Sequence, residues 1–440
     1  MKRYDSYKGS GVEWIGEIPS HWKLKKIKHH SDVNVGLVIN PSTYYDDNGE
    51  IPIITGKNVS TNGIDISKVD RITSNSNELL YKTQIHTGDL VSMRVGYPGR
   101  SSVVKPEEDG YNCCSLIITR KSSTILPYLL NYIINSSLGK IQVELCQGGM
   151  GQQVVNLSDW NEFIIPTTSI SEQKQIVSFL DTKTSLIDSL IEKTQRKIEL
   201  IKEKRTSLIN EVVTKGLNPN VEMKDSGVEW IGEIPIHWFI NKVGNNTYVK
   251  GRIGWKGLRS EDFKDKGPYL ITGTDFNKDG TINWDKMYHV DQWRYDEDPF
   301  IQLQDNDVLI TKDGTIGKVV YVGNLKGQTC LNSGIFLTRP TNNEYISRFF
   351  FWSLNSNVFK VFVDYNSGGS TIQHLYQNVF VNFKFPIPPI SEQQQIVEYL
   401  DEQTGLIDKT ISIEEKRIKL LKEYRQSLIS EVVTGKRKVV

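Results

Sequence analysis

A single stripe runs through residues 187–212. Ile187, Leu190, Thr194, Ile198, Ile201, Arg205, Leu208 and Val212 are spaced by 3, 4, 4, 3, 4, 3 and 4 residues. That spacing follows the period of one helix face. The stripe returns 220 residues later as Ile407, Thr410, Glu414, Ile418, Leu421, Arg425, Leu428 and Val432. Each stretch is free of proline from a candidate N-cap, Ser171 or Ser391, to a closing glycine, Gly216 or Gly435. Gln394 completes a capping box behind Ser391, whereas Lys174 breaks the one behind Ser171. A helix over 171–215 is roughly 65 Å long. With charges on its other faces, such a helix buries its stripe against a second long helix. Two matched copies in one chain predict mutual pairing, with Ile187, Ile198, Ile201 and Leu208 meeting Ile407, Ile418, Leu421 and Leu428. An antiparallel pair makes the duplicated chain pseudo-twofold. The competing reading lays each helix on the surface of its own domain.

The duplication extends beyond the helices. Ser10-Gly11-Val12-Glu13-Trp14-Ile15-Gly16-Glu17-Ile18-Pro19-Ser20-His21-Trp22 recurs 216 residues later at Ser226 to Trp238, changed only at Ser20, which becomes Ile236. Ile170-Ser171-Glu172-Gln173 returns as Ile390-Ser391-Glu392-Gln393. Between these anchors lie two divergent blocks with a common skeleton. Ile54-Thr55-Gly56 matches Ile271-Thr272-Gly273, and Arg94-Val95-Gly96 stands where Lys312-Asp313-Gly314 stands. Short β-prone runs separated by Gly, Asn and Asp read as strands and turns. The runs 127–134 and 347–354 read as helices. The expected fold class is therefore α+β: two tandem-duplicated α/β domains separated by two long helices in an antiparallel coiled coil. The divisions expected are 1–168, a first domain with its N-terminal anchor; 169–216, the first spacer helix; 217–388, a linker and second domain; and 389–440, the second spacer helix.

Composition narrows the chemistry. The 440 residues carry 53 Lys+Arg against 52 Asp+Glu, so a nucleic-acid surface must be local rather than a basic coat. No run of about 18 apolar residues suggests a membrane span, and the N-terminus lacks an apolar signal core, which makes the cytoplasm the expected location. Cys113, Cys114, Cys146 and Cys330 form no C-x-x-C pair, so buried reduced thiols are expected. Gly317-Lys318 is followed by Val319, which rules out a phosphate loop there. No G-x-G-x-x-G motif opens a βαβ unit, and Asn40-Pro41-Ser42 and Asn218-Pro219-Asn220 lack the second proline and aromatic of an amino-methyltransferase motif. The pair His29-His30 has no partner at zinc-ligand spacing, so no metal site and no catalytic residues are assigned. His21 and His237 are expected to pack on Trp22 and Trp238. Asp46, Asp47 and the run Glu107 to Asp109 read as solvated loop charges.

Local basic patches do occur. Residues 241–260 hold Lys242, Lys250, Arg252, Lys256 and Arg259 interleaved with Trp255, Gly251, Gly254 and Gly257, and no acidic residue. Cations beside glycines suit close approach to phosphates, and an aromatic ring can stack; a solvated strand face is the competing reading. Lys57, Arg94, Tyr97 and Arg100 are the candidates in the first block, with Lys312 and Lys318 in the second. The loop after Gly368-Gly369 offers Ser370, Thr371 and Gln373, and its counterpart after Gly148-Gly149 offers Gln152 for a base edge.

With both anchor motifs, both Pro-x-x-x-Ile-Ser-Glu-Gln and Pro-x-Pro-Pro-Ile-Ser-Glu-Gln junctions, and two divergent blocks between them, the whole chain resembles a type I restriction-modification specificity subunit. The resemblance implies that each block is a target recognition domain for one half of a bipartite double-stranded DNA site. It implies an antiparallel helical spacer that docks two modification subunits, adenine methyltransferases carrying S-adenosylmethionine, and a restriction subunit, an ATP-driven translocase and nuclease. ATP, Mg and S-adenosylmethionine would then sit on the partners, with no cofactor in this chain, in a complex for defence against foreign DNA. The alternative from a different class is a coiled-coil adaptor whose divergent domains bind proteins.

Overall fold

The computed structural model describes residues 3–439 apart from 62, 147–153, 253–257, 259, 278 and 367–373. The chain divides into two compact units. Unit 1 comprises Met1–Lys193 with Arg417–Val440, and unit 2 comprises Thr194–Lys416. Each unit therefore takes part of both long helices.

Unit 1 is built on a four-stranded antiparallel sheet in the order Ser101–Val103, Leu90–Met93, Leu116–Thr119, Val33–Val35. A three-stranded sheet lies alongside in the order Asn112–Cys113, Ile51–Ile54, Asp70–Ile72, its first pair parallel. The expected helix spans Pro127–Asn135, with proline at its first turn where a missing N–H costs nothing. It continues into Ser137–Leu145 after Ser136, whose hydroxyl caps the second helix. Gly139 is obligatory there, because a Cβ would lie 1.9 Å from the Ile134 carbonyl oxygen. The core joins Ile15, Ile18 and Trp22 of the repeated motif to Leu129, Ile133, Ile176, Leu180, Leu428 and Val432.

Unit 2 repeats this plan. Its four-stranded sheet has the order Thr247–Gly251, Ile335–Pro340, Val308–Thr311, Val319–Tyr321. Its three-stranded sheet runs Tyr288–His289, Lys264–Ile271, Thr329–Leu331, again with one parallel pair. Helices Ser347–Leu354 and Asn357–Asn366 follow. The core is richer in aromatics, with Phe349, Phe350, Phe359, Phe362, Phe380, Phe383 and Phe385 around Trp238, Ile209, Val212, Ile396 and Leu400.

The long helices are Ile170–Lys215 and Ile390–Val433. They begin before Ser171 and Ser391, which corrects the expected caps. Ser169 caps the first, its hydroxyl accepting from the Glu172 N–H at 3.3 Å, and the Pro389 carbonyl accepts the Gln393 N–H at 3.0 Å in the second. Gly216 and Gly435 close the helices with φ of 77° and 72°, the left-handed conformation expected of a glycine C-terminal stop. The stripe also needs one correction. Leu190 and Thr410 face outward, while Ile191 is half-buried and Ile411 is buried. The steps from Ile187 are then strictly 4 and 3 in alternation, the heptad spacing of a coiled-coil seam rather than a general helix face.

Within each unit the two helix segments run antiparallel. In unit 1, the Arg425 guanidinium donates to both carboxylate oxygens of Asp188 at 2.9 and 3.1 Å. In unit 2, Arg205 makes the same fork with Asp408 at 2.9 and 3.1 Å. The repeat offset of 220 carries Asp188 to Asp408 and Arg205 to Arg425, so the two pairs are counterparts. Ile187, Ile198, Ile418 and Leu428 are buried, while Ile201, Leu208, Ile407 and Leu421 are half-buried at the margins.

The repeated motifs meet at the helix ends. In unit 1, Glu172 in the first helical turn accepts hydrogen bonds from Tyr4 Oη at 2.7 Å, Trp22 Nε1 at 3.2 Å and the Thr168 hydroxyl, and pairs with His21 Nε2 at 2.9 Å. In unit 2, Glu392 takes Trp238 Nε1 at 3.0 Å and His237 Nε2 at 2.9 Å. The histidines thus bond to a carboxylate rather than only packing on tryptophan. The neighbouring glutamines tie each helix to its domain. Gln173 donates to the Thr168 and Thr124 carbonyls and accepts the Leu126 N–H, and Gln393 does the same with Pro388, Glu344 and Ile346. The Trp-Ile-Gly-Glu-Ile-Pro-x-His-Trp and Ile-Ser-Glu-Gln segments are two halves of one joint.

One loop charge is placed differently from expectation. Glu108 is 5% exposed, and its carboxylate accepts the Lys105 N–H at 2.7 Å; burial raises its pKa above the ordinary glutamate value. Asp109 beside it is exposed as expected and accepts the Thr87 N–H at 2.6 Å. Cys113, Cys114 and Cys330 are buried free thiols, and Cys146 is half-buried.

Candidate nucleic-acid interface

In each unit three strand ends gather at one end of the four-stranded sheet, and the candidate loops leave from there. In unit 1 the chain turns after Met93. The Gly99 N–H donates to the Met93 carbonyl at 2.9 Å, and the Met93 N–H to the Arg100 carbonyl at 2.8 Å. Gly96 and Gly99, with φ of 83° and 84°, supply the left-handed positions this tight turn requires. The turn projects Tyr97, which is 65% exposed, and the Arg100 guanidinium lies 4.4 Å from the centre of its ring. Such a stack keeps the cation extended at little entropic cost.

The same turn is built in unit 2. The Gly317 N–H donates to the Thr311 carbonyl at 2.9 Å and the Thr311 N–H to the Lys318 carbonyl at 3.0 Å, with Gly314 and Gly317 at φ of 70° and 80°. What it projects differs: Thr315 and an exposed Lys318 in place of Tyr97 and Arg100. Lys312 lies 5.3 Å over the Phe336 ring.

Each turn is joined by an isolated bridge to the residues that follow the Gly-Gly pair in sequence. Val95 bridges to Val154, and the Val155 N–H donates to the Arg94 carbonyl at 3.0 Å. Asp313 bridges to His374, and the Leu375 N–H donates to the Lys312 carbonyl at 2.9 Å. The backbone connection is identical, while an Asp313–His374 side-chain pair adds to it only at the second site. Arg94 reaches Asn156 Oδ1 from Nη2 at 3.3 Å, and its buried Nε has no hydrogen-bond partner among the described residues.

A third segment completes the face. Thr55 and Asn58 form a reciprocal cap around Gly56 and an exposed Lys57. A Cβ on Gly56 would lie 3.1 Å from Met93 Cε, which sets this turn against the start of the Arg94 turn. Thr272 and Asp275 repeat the cap in unit 2, with Gly273 facing Thr311 Cγ2 at the same 3.1 Å. There Thr274 occupies the place of Lys57. The reciprocal cap explains why Ile-Thr-Gly recurs, although sequence spacing singled out Lys57 without its supporting turn.

One candidate is overturned. Arg252 is 2% exposed: its Nε donates to the Leu331 carbonyl at 2.8 Å, and Nη2 lies 3.4 Å from Cys330 Sγ. A guanidinium enclosed by a carbonyl, a thiol and the Glu297 carboxylate at 4.0 Å holds the sheet end together and is closed to phosphate. Its neighbour Lys250 remains half-buried, with Nζ 5.4 Å over the exposed Phe300 ring, an aromatic that sequence spacing missed. Gln152, Trp255, Lys256, Arg259, Ser370, Thr371 and Gln373 lie outside the described residues. Among the described residues no cluster of three or more His, Cys, Asp or Glu could hold a metal ion, and no helix is long and apolar enough to cross a membrane.

A family model for the type I restriction modification DNA specificity domain matches residues 19–200 and 253–423. The chain belongs to that family. It is 25% identical over 436 residues to a putative type I restriction enzyme MjaX specificity subunit of Methanocaldococcus jannaschii, covering 97% of this chain and 96% of that one. A shorter match, 25% over 130 residues and 26% of its length, is to the EcoBI specificity subunit of Escherichia coli. Among solved structures, the fold is shared with a chain from a study of complex assembly and conformational transition in the type I R-M system. That match has a TM-score of 0.72, with 17% identity over 94% of this chain and 98% of that one. It is shared more loosely with the HsdS subunit from Thermoanaerobacter tengcongensis, at a TM-score of 0.51, with 16% identity over 96% and 98%. The protein is a DNA sequence-specificity subunit and not the catalytic component, and the protein-binding adaptor is not favoured.

Proposed function

We propose that each unit reads one part of an asymmetric, two-part site in double-stranded DNA through its glycine turn, the capped turn beside it and the loop that follows. One observation carries this reading: an identical hydrogen-bonded turn stands at the same sheet end of both units and presents Tyr97 and Arg100 in one but Thr315 and Lys318 in the other. Different side chains in the major groove select different donor and acceptor patterns. Lys57, Arg94, Lys312 and Lys318 supply phosphate contacts that position the readers.

The partners of the reading are two modification subunits bearing S-adenosylmethionine and restriction subunits using ATP and Mg, in a cytoplasmic complex. Two equivalent docking sites are supported by exposed leucines that recur at the repeat offset, Leu186 with Leu406 and Leu200 with Leu420. In the assembled complex, Lys312→Ala should weaken binding to all DNA sequences alike. The log–log salt slope should flatten by about one for each phosphate that the variant no longer touches. Native affinity and slope in that variant would take Lys312 off the DNA.

A further inference from the structure

The basic sequence segment of unit 2 that starts at Gly251 has a very different counterpart in unit 1. Residues 36–56 contain no lysine or arginine and three acidic residues, Asp46, Asp47 and Glu50. A segment of that charge makes no phosphate contact of its own, so a role on DNA falls at a base edge, with Lys57 and Arg94 holding the backbone. The segment carries Ile39 at 77% exposure, with the exposed Val38 before it. The two follow one another at the tip, an apolar pair open to an apolar partner.

The tip is mounted firmly. The Leu37 N–H donates to the Cys113 carbonyl at 2.8 Å, and the Ser115 N–H returns to the Leu37 carbonyl at 2.9 Å. On the far side, Asn40 takes the left-handed conformation at φ 44°, and its carbonyl accepts the Thr43 N–H and hydroxyl at 3.1 and 2.6 Å. Ile39 stands between these two fixed points. It is β-branched and therefore loses little rotamer freedom on contact. Its position belongs to the reading face. Leu37 bridges to Cys114, whose N–H donates to the Ile54 carbonyl at 2.7 Å, and Lys57 follows three residues later.

We infer that Ile39 meets the 5-methyl group of a thymine in the major groove and fixes one base of the part-site read by unit 1. The methyl is the single apolar feature on a base edge, and an aliphatic side chain without a cation beside it is the chemistry that selects it. The inference rests on the proposed reading of unit 1 as a DNA-reading unit.

The test uses the full chain assembled with its modification subunits and the methylated site mapped beforehand. Each thymine of the unit 1 part-site is replaced in turn by deoxyuridine, which lacks only the methyl. For the native complex, one replacement should weaken binding about fourfold, the value of one methyl group removed from water. Ile39→Ala should show a comparable loss on thymine DNA and no further loss at that deoxyuridine, because the interaction is already gone. An unchanged deoxyuridine penalty in Ile39→Ala, a part-site without thymine, or failure of the variant to assemble with the modification subunit would each overturn it. A Lys57→Ala, Arg94→Ala, Arg100→Ala triple variant separates this from the underlying reading: native DNA binding in it takes unit 1 off the DNA, whatever Ile39 does.

Discussion

Unit 1 and unit 2 are alike where their helices join and unlike where their loops project. Glu172 with Trp22 and Glu392 with Trp238 form the same joint, and Gln173 and Gln393 make the same three hydrogen bonds. The cores between these extremes have been repacked. Gln142 in unit 1 bonds the Leu138 and Ile164 carbonyls and the Ile164 N–H, whereas its counterpart Phe362 packs against Trp230 and Phe383. Gly139 corresponds to Phe359, and Asn131 to Phe351. In unit 1 a cavity of about 500 Å³ opens beside Tyr97 and Asn131, and the buried ring of Phe351 stands at the Asn131 position of unit 2. Cores tolerate such exchanges when volume and patterning are kept together. The joint does not, because a half-buried carboxylate needs its indole and imidazole donors at fixed points. A frame held by its joints leaves the loops free to differ.

The strongest way to test this division is to erase the difference. Replacing residues 239–388 with a second copy of residues 23–168 should turn the asymmetric site into a palindrome of the unit 1 part, with an unread gap of the same length. Genome-wide mapping of methylated adenines reads this directly. Modification of the original asymmetric sequence would show that the loops do not carry the assignment.

A smaller effect should be equal in both units. Ile198 and Ile418 are counterparts at the repeat offset and are buried in unit 2 and unit 1 respectively. Aspartate at either position should cost roughly 3–5 kcal/mol, the range for an uncompensated buried charge. Thermal and denaturant unfolding would report it. A large loss in one variant beside none in the other would break the equivalence of the two seams.

The smallest effect concerns the joint of unit 1. Burial raises the Glu172 pKa, but hydrogen bonds from Thr168, Tyr4, His21 and Trp22 together outweigh it and leave it below the ordinary value of 4.5. A carboxylate depressed on folding stabilises the native state above its unfolded pKa, and that contribution fades as the pH falls through the folded one. The stability advantage of the native chain over Glu172→Gln should hold above the carboxylate range and shrink below it. A pH series of melting temperatures for the two proteins that run parallel through the acid range would remove Glu172 from this role.

The seam was legible in the sequence because a helix repeats its face every few residues, so that Ile187, Ile198, Ile418 and Leu428 announce themselves by spacing. The single misplacement, Leu190 for Ile191 and Thr410 for Ile411, arose because a one-residue shift still lies on the same broad helix face; only the partner helix distinguishes a 3-4 from a 4-3 step. The duplicated joint was visible as a repeat, yet its meaning was not. Glu172 lies about 150 residues from Trp22, and nothing local says that a carboxylate at a helix start accepts an indole N–H from so far away. Arg252 shows the converse. Among cations and glycines it reads as a surface charge, and it is buried because strand pairing brings the Leu331 carbonyl to it. Periodicity and internal repetition are properties of the chain and determine its elements, its duplication and its family. Burial and hydrogen-bond partnership depend on which distant segments the sheets bring together, and the tertiary structure alone decides them.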